Sequence, residues 1–189
     1  MAHSLPFDPL RPQIRLAGEV GKEMMESFFN QLDSALNKDE AGPVLLELMT
    51  QGGDADIGAR IAQQIRLARD YSPREFYFLG MTIVYSAGIT ILSGFPAQRR
   101  YLGKATTLLI HERKLTIDHM TQSPLKAAQK VAAANTREIE HGIDLELQGF
   151  KDLVAGSSLP LEEIQQHAST NLYLSAEEAL ARGLIAGIV

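Results

Sequence analysis

Between Phe76 and Gln98 the chain carries no charged side chain. So long an uncharged run must leave water, either into a bilayer or into a protein core. About 20 apolar residues span a membrane as a helix. The content of this run argues for the core. Gly80, Gly88, Gly94 and Pro96 interrupt it, and Thr82, Ser86, Thr90 and Ser93 scatter hydroxyls along it. It reads as a buried strand, a turn and a buried helix. A strand and a helix that are both buried need neighbouring elements to bury them.

Those neighbours are legible as two alternating periodicities. Gln13–Ala17 alternates as a first strand, and PVLLELM (43–49) is nearly continuous apolar, as a central parallel strand is. EFYFLG (75–80), ATTLLIH (105–111) and residues 184–189 supply further strands. Between them, Lys22–Leu36 places Met25, Phe28, Phe29, Leu32 and Leu36 at helical spacing, and Ala55–Asp70 repeats Ile57, Ile61 and Ile65. A short helix starts near Ser86 and another covers 161–168. Ser175 and Glu178 form a capping box for a helix ending near Gly183. Strands alternating with helices give an α/β class with a largely parallel sheet. A chain of 189 residues suits one domain, 1–189. The run from Gln122 to Val154 carries Val131, Ile139, Ile143, Leu147, Phe150 and Val154. It reads as one helix longer than a domain of this size needs, protruding from it.

Composition removes several function classes. The net charge is −5, so no basic excess points to nucleic acid or an anionic membrane surface. The chain contains no cysteine, which excludes disulfides, thiol nucleophiles and thiolate metal sites. Its five histidines lack ligand spacing, so no metal or cofactor is expected. The start, MAHSLPFDPLRPQIRL, does not read as a secretory signal, and the expected location is the cytoplasm.

Three places are suited to chemistry, each at the carboxyl end of an expected strand, where open α/β sheets bind ligands. Thr50-Gln51-Gly52-Gly53-Asp54 pairs two glycines that expose backbone amides to an anion; it also reads as a plain strand-to-helix turn. Val84-Tyr85-Ser86-Ala87-Gly88 is half of a nucleophile elbow; Ser86 also reads as a helix cap. His111 ends the ATTLLI strand and is followed by Glu112 and Arg113; it also reads as an ordinary strand-end histidine. Together, a serine, a histidine and a pair of amides are the parts of an acyl-transfer site.

With these motifs in order, the chain resembles the ClpP family of serine peptidases from about Gln13 to Val189. Gly52-Gly53 falls on the family's Ser-Pro-Gly-Gly turn, Ser86 in VYSAG on its nucleophile, and His111 in LLIH on its histidine. NLYLSAEEALARGLIAGIV resembles the family's carboxyl-terminal motif. The resemblance implies a ClpP/crotonase-like spiral of β-α units, with the helix of about 122–154 as a handle between stacked heptameric rings. It implies a serine endopeptidase of short or unfolded polypeptides, working inside an oligomeric chamber. Ser86 would be the nucleophile, His111 the general base, and the amides of Gly53 and Ala87 the oxyanion hole. Gly52 and Gly53 would border the bound peptide, and Asn171 would take the third triad position. Implied partners are copies of the chain as a heptamer or double heptamer, a paralogue, or an AAA+ ATPase.

The chain departs from the pattern at four points. Asn171 stands for the triad aspartate, Gln51 for the proline of the glycine turn, and His111-Glu112-Arg113 for His-Gln-Pro. The stretch between His111 and Asn171 is longer than the family's. The lost aspartate leaves Asp118, Glu112 and Asp144 as candidate substitutes. Two other readings stand beside the peptidase: a catalytically weak or silent ClpP-like assembly subunit, and an acyl-CoA enzyme of the crotonase type.

Overall fold

The computed structural model describes residues 5–37, 42–114 and 124–189. β1 (Ile14–Ala17), β2 (Val44–Thr50) and β3 (Phe76–Tyr85) alternate with α1 (Lys22–Leu36) and α2 (Ala55–Tyr71). α3 (Ala87–Ser93), β4 (Arg100–Leu102), β5 (Thr107–Ile110) and α4 (Leu125–Val154) follow. α5 (Leu161–Ala168), β6 (Leu172–Ser175), α6 (Ala176–Ala181) and β7 (Gly187–Ile188) complete the described chain. The class is α/β, as expected. The strands pair in the order β1-β2-β3-β4-β7, and β5 joins β3 further along and carries β6. Among the described residues every pairing is parallel except β5 with β6.

β3 organises the sheet. β2 takes one of its edges from Phe76 to Val84, with a register shift between Leu48 and Thr50. The other edge is shared: Phe78–Gly80 pair with β4, and Ile83–Tyr85 pair with β5. Between the two stretches Thr82 adopts a positive φ of 59°. Alternate residues then serve two cores. Leu46, Leu48 and Phe78 join Phe28, Ile61, Ile65 and Ile91 under the helices. Leu45, Tyr77 and Leu79 face the other way, beneath Phe7 of the amino-terminal segment.

The uncharged run folds as read: β3, then α3, with Phe78, Val84, Ile91, Leu92 and Phe95 at 1% exposure or less. Among the described residues no helix is long and apolar enough to cross a membrane. The capping box at Ser175 and Glu178 is present, and Gly183 adopts the positive φ that follows a helix end.

Several boundaries differ from expectation. On α1 the buried stripe is Met24, Phe28, Leu32 and Ala35, so the helix is rotated and Leu36 faces out. The last strand shrinks to Gly187–Ile188, because Leu184 and Ile185 turn into the core instead of pairing. β4 and β6 are additional strands. The long helix starts at Leu125 behind Pro124, which lacks an N–H and suits a helix start; residues 122 and 123 lie outside the described residues. Of its apolar residues only Phe150 and Leu153 are buried, while Val131, Ile139 and Ile143 are exposed.

β4 hides its charge. Arg100 is the largest fully buried side chain among the described residues, at 1% exposure. Its guanidinium donates to the carbonyls of Phe95 (2.8 Å) and Leu153 (2.7 Å), and more weakly to Leu184 and Asp152. One side chain thus satisfies carbonyls just after α3, in the last turn of α4 and before β7. Burial pushes its pKa down to about 10, which leaves it charged at neutral pH. An apolar replacement would keep the volume but orphan the carbonyls, each costing about 1–3 kcal/mol. Arg100→Met should therefore destabilise the fold by about 3 kcal/mol or more. That should lower the thermal midpoint by roughly 6–12 °C in calorimetry.

Candidate active site at three strand ends

The sheet register assembles the site. Thr50 of β2 lies beside Val84 of β3, and Tyr85 of β3 beside Leu109 of β5. The carboxyl ends of three adjacent strands therefore finish together, bringing Gly52-Gly53, Ser86 and His111 to one edge. Gly53, Ser86 and His111 line a cavity of about 610 Å³, with Ala87 beside them. Its far wall comes from α4, including Glu146 and Phe150.

Ser86 sits in a sharp strand-to-helix turn with φ 53° and ψ −117°. A serine at positive φ is uncommon and strained, and such strain collects at functional sites. The turn is pinned by the Ser86 N–H, which donates to the Leu109 carbonyl at 2.9 Å, and by the Ile89 N–H, which donates to the Ser86 carbonyl. The Ser86 side chain does not cap α3. This removes the helix-cap reading, and Ser86 lines the cavity.

The room around Ser86 comes from missing side chains. A Cβ on Gly52 would stand 2.6 Å from the Ser86 Cβ, and one on Gly88 would stand 2.4 Å from Thr50 Cγ2. A Cβ on Gly58 would meet the Ala87 carbonyl at 2.9 Å. Gly52 and Gly53 also adopt φ of 104° and 145°, conformations that glycine reaches without strain. Buried Thr50 accepts from the Gly52 N–H at 3.0 Å and holds the start of this turn. Asp54 caps α2 by accepting from the amides of Asp56 and Ile57.

Gly53 and Ala87, which both line the cavity, bring two backbone amides to it. The Val20 N–H donates to the Gly52 carbonyl and the Asp54 N–H donates to the Val20 carbonyl, each at 2.8 Å. This bridge turns the N–H of Gly53 to the opposite side of its extended segment. Ala87 is the first residue of α3, where the N–H has no partner inside the helix. Amides so placed beside a serine hydroxyl suit an oxyanion.

His111 is half-buried, directly after Ile110. Its Nδ1 lies 2.6 Å from the Glu112 carbonyl oxygen. A carbonyl only accepts, so the proton sits on Nδ1 and Nε2 is left as the basic nitrogen. Among the described residues Ser86 and His111 share no hydrogen bond. The antiparallel pairing of Ile110 with Leu172 sets Asn171 across from His111. Asn171 is exposed at φ 65°, outside the cavity lining, and among the described residues its side chain makes no bond to the ring. Of the candidate carboxylates, Asp118 lies outside the described residues, Asp144 does not line the cavity, and Glu112 does.

A polar frame surrounds these residues that no sequence motif marks. Arg113 donates from Nη2 to Asp56 at 2.6 Å, and its backbone N–H donates to Glu146. Arg66 pairs with Asp152 at 2.7 Å at another wall of the cavity. These partners lie 33 to 86 residues apart along the chain, and no local pattern announces them. Among the described residues no group of three or more His, Asp or Glu side chains gathers at metal-binding distance.

A sequence profile of the Clp protease family matches residues 10–189. The proteolytic subunit 2 of the ATP-dependent Clp protease from Treponema denticola is 31% identical over 180 residues, 93% of this chain and 80% of its own length. The corresponding subunit from Treponema pallidum is 28% identical over 181 residues, 94% of this chain and 81% of its own. An Asn-to-Asp mutant of ClpP1 from Listeria monocytogenes superposes with a TM-score of 0.71 at 20% identity, covering 93% of this chain and 90% of that one. With the profile spanning nearly the whole sequence and the fold in agreement, the chain belongs to the Clp protease family.

Proposed function

We propose that this chain, acting as one domain over 1–189, is a serine endopeptidase that hydrolyses short or unfolded polypeptides within an oligomeric chamber in the cytoplasm. The observation that carries the reading is the strained turn at Ser86, whose side chain does not cap α3 and which lines one cavity with His111, Gly53 and Ala87. In this mechanism Ser86 Oγ attacks the scissile carbonyl and His111 Nε2 takes its proton. The amides of Gly53 and Ala87 stabilise the oxyanion. The C–N bond breaks as His111 returns the proton to the leaving amine. Water then repeats the sequence on the acyl-enzyme. The bound peptide would lie extended beside Gly52-Gly53, pairing as an added strand. Catalytic hydrogen bonds are often long before substrate arrives, so an open Ser86–His111 pair is compatible with this use.

Asn171 occupies the third position in this reading, opposite His111 across the β5–β6 ladder. An asparagine orients an imidazole but does not stabilise the imidazolium as an anion does. A weak or silent assembly subunit is the second reading. The absence of a bond between Asn171 and His111, among the described residues, favours it. For either reading, α4 supplies the assembly surface through Val131, Ile139 and Ile143, which are exposed along it. A helix of 30 residues is about 45 Å long. Partners in this scheme are copies of the chain as a heptamer or double heptamer, a paralogue, or an AAA+ ATPase.

Three tests follow. A fluorophosphonate probe reacts only with an activated serine, and peptide mapping should find it on Ser86 alone. No label, or label on another serine, would select the silent subunit. Asn171→Asp should raise peptide hydrolysis by roughly tens-fold, because a carboxylate competes better than the Glu112 carbonyl for the ring N–H. Unchanged turnover in a normally folded variant would remove Asn171 from the mechanism. Light scattering should give a particle many times 20.7 kDa, and charges at Ile139 and Ile143 should dissociate it before subunits unfold. A monodisperse monomer would contradict the chamber.

A further inference from the structure

The proton on His111 Nδ1 points at the Glu112 carbonyl, 2.6 Å away. That carbonyl belongs to the peptide group between Glu112 and Arg113. The N–H of the same group, on Arg113, donates to Glu146 Oε2 from α4. A trans peptide directs its C=O and N–H to opposite sides, so one rigid plane joins the Glu146 carboxylate to the imidazole. We infer that Glu146 is the acid of this site, acting on His111 through the intervening peptide group as a positioning residue.

Three observations support the relay. First, its geometry depends on a residue other than proline at position 113, since proline has no N–H to give. The departure from His-Gln-Pro therefore supplies the donor that the link uses. Second, the plane is braced on both sides. The Glu112 N–H donates to the Ala168 carbonyl at 3.3 Å, and the Arg113 side chain, 28% exposed, pairs with Asp56 at 2.6 Å. Asp56 lies in the first turn of α2, directly after the Gly52-Gly53 turn, so the base and the oxyanion amides share one anchor. Third, Glu146 is half-buried in the cavity wall. A carboxylate bonded to an N–H polarises the amide and strengthens its carbonyl as an acceptor. This fixes the Nδ1–H tautomer and adds negative potential where imidazolium charge develops. Asn171 does not supply that charge.

The inference rests on His111 being the general base, and two readouts keep the questions separate. One is peptide hydrolysis. The other is the nitrogen spectrum of 15N-histidine-labelled protein, with the His111 signals assigned by loss in His111→Gln. Glu146→Ala should lower kcat roughly tenfold or more while KM stays within about twofold, a part of the 10²–10⁴-fold that a positioned base contributes. It should also convert His111 from one Nδ1–H tautomer to a mixture. Glu146→Gln keeps the acceptor without the charge; it should hold the tautomer and lose part of kcat. Adding Asn171→Asp to Glu146→Ala should recover turnover by delivering a carboxylate to the ring directly, a rescue that repair of a fold defect would not give. The relay is overturned if Glu146→Ala leaves the His111 nitrogen signals unchanged, whatever happens to kcat. If no form of the protein turns over peptide yet the signals shift as described, the peptidase reading fails and the relay stands.

Discussion

The pairing of β3 governs the molecule. β2 follows one of its edges throughout, while β4 and then β5 divide the other. That division requires the chain to turn at Thr82, where φ reaches 59°, and the register with β2 to shift. Its result is that three strands end side by side, each delivering one part of the candidate site. A one-residue slip of β5 along β3 would turn the side chains leading to His111 to the opposite face. The Ser86 N–H, bonded to the Leu109 carbonyl, fixes that register at the point where it matters. The strain at Ser86 persists because its surroundings leave no alternative: the strand before it is paired on both edges and the helix after it is buried.

Polar groups carry the rest of the framework. Arg100 satisfies carbonyls after α3, at the end of α4 and before β7 from one buried position. Arg66 and Asp152 join α2 to α4 beside it. Arg113 joins the His111 segment to α2 and α4. The long helix is therefore fastened to the cavity wall at its carboxyl-terminal half, where Phe150 and Leu153 are also buried. Its amino-terminal half keeps its apolar residues outside the subunit core.

Much of this was legible in the residues. The apolar runs at 43–49 and 75–80, the Ile61–Ile65 spacing and the Ser175 capping box register local propensity, and local propensity is what a sequence displays. The glycine turn, VYSAG and the strand-end histidine were legible because each sits where a strand meets a helix or loop. What stayed hidden depends on contacts between distant segments. Arg100 carries no local mark of burial, and only the fold brings the carbonyls of Phe95, Leu153 and Leu184 around it. β4 and β6 are too short to show a period, and they exist as strands because β3 and β5 offer edges. Glu146 is one of several acids on a polar-looking helix, and only the fold brings it to the peptide beside His111.

The central claim is that Ser86 and His111 act as one unit, with Nε2 as the basic nitrogen. A peptide chloromethyl ketone tests both parts together, because it bonds to an activated serine while alkylating the Nε2 of its histidine partner. Mass mapping and tandem fragmentation should find a single alkyl group on His111, and Ser86→Ala should abolish it. Alkylation that survives Ser86→Ala, or that falls on other histidines while His111 stays unmodified, would contradict the account.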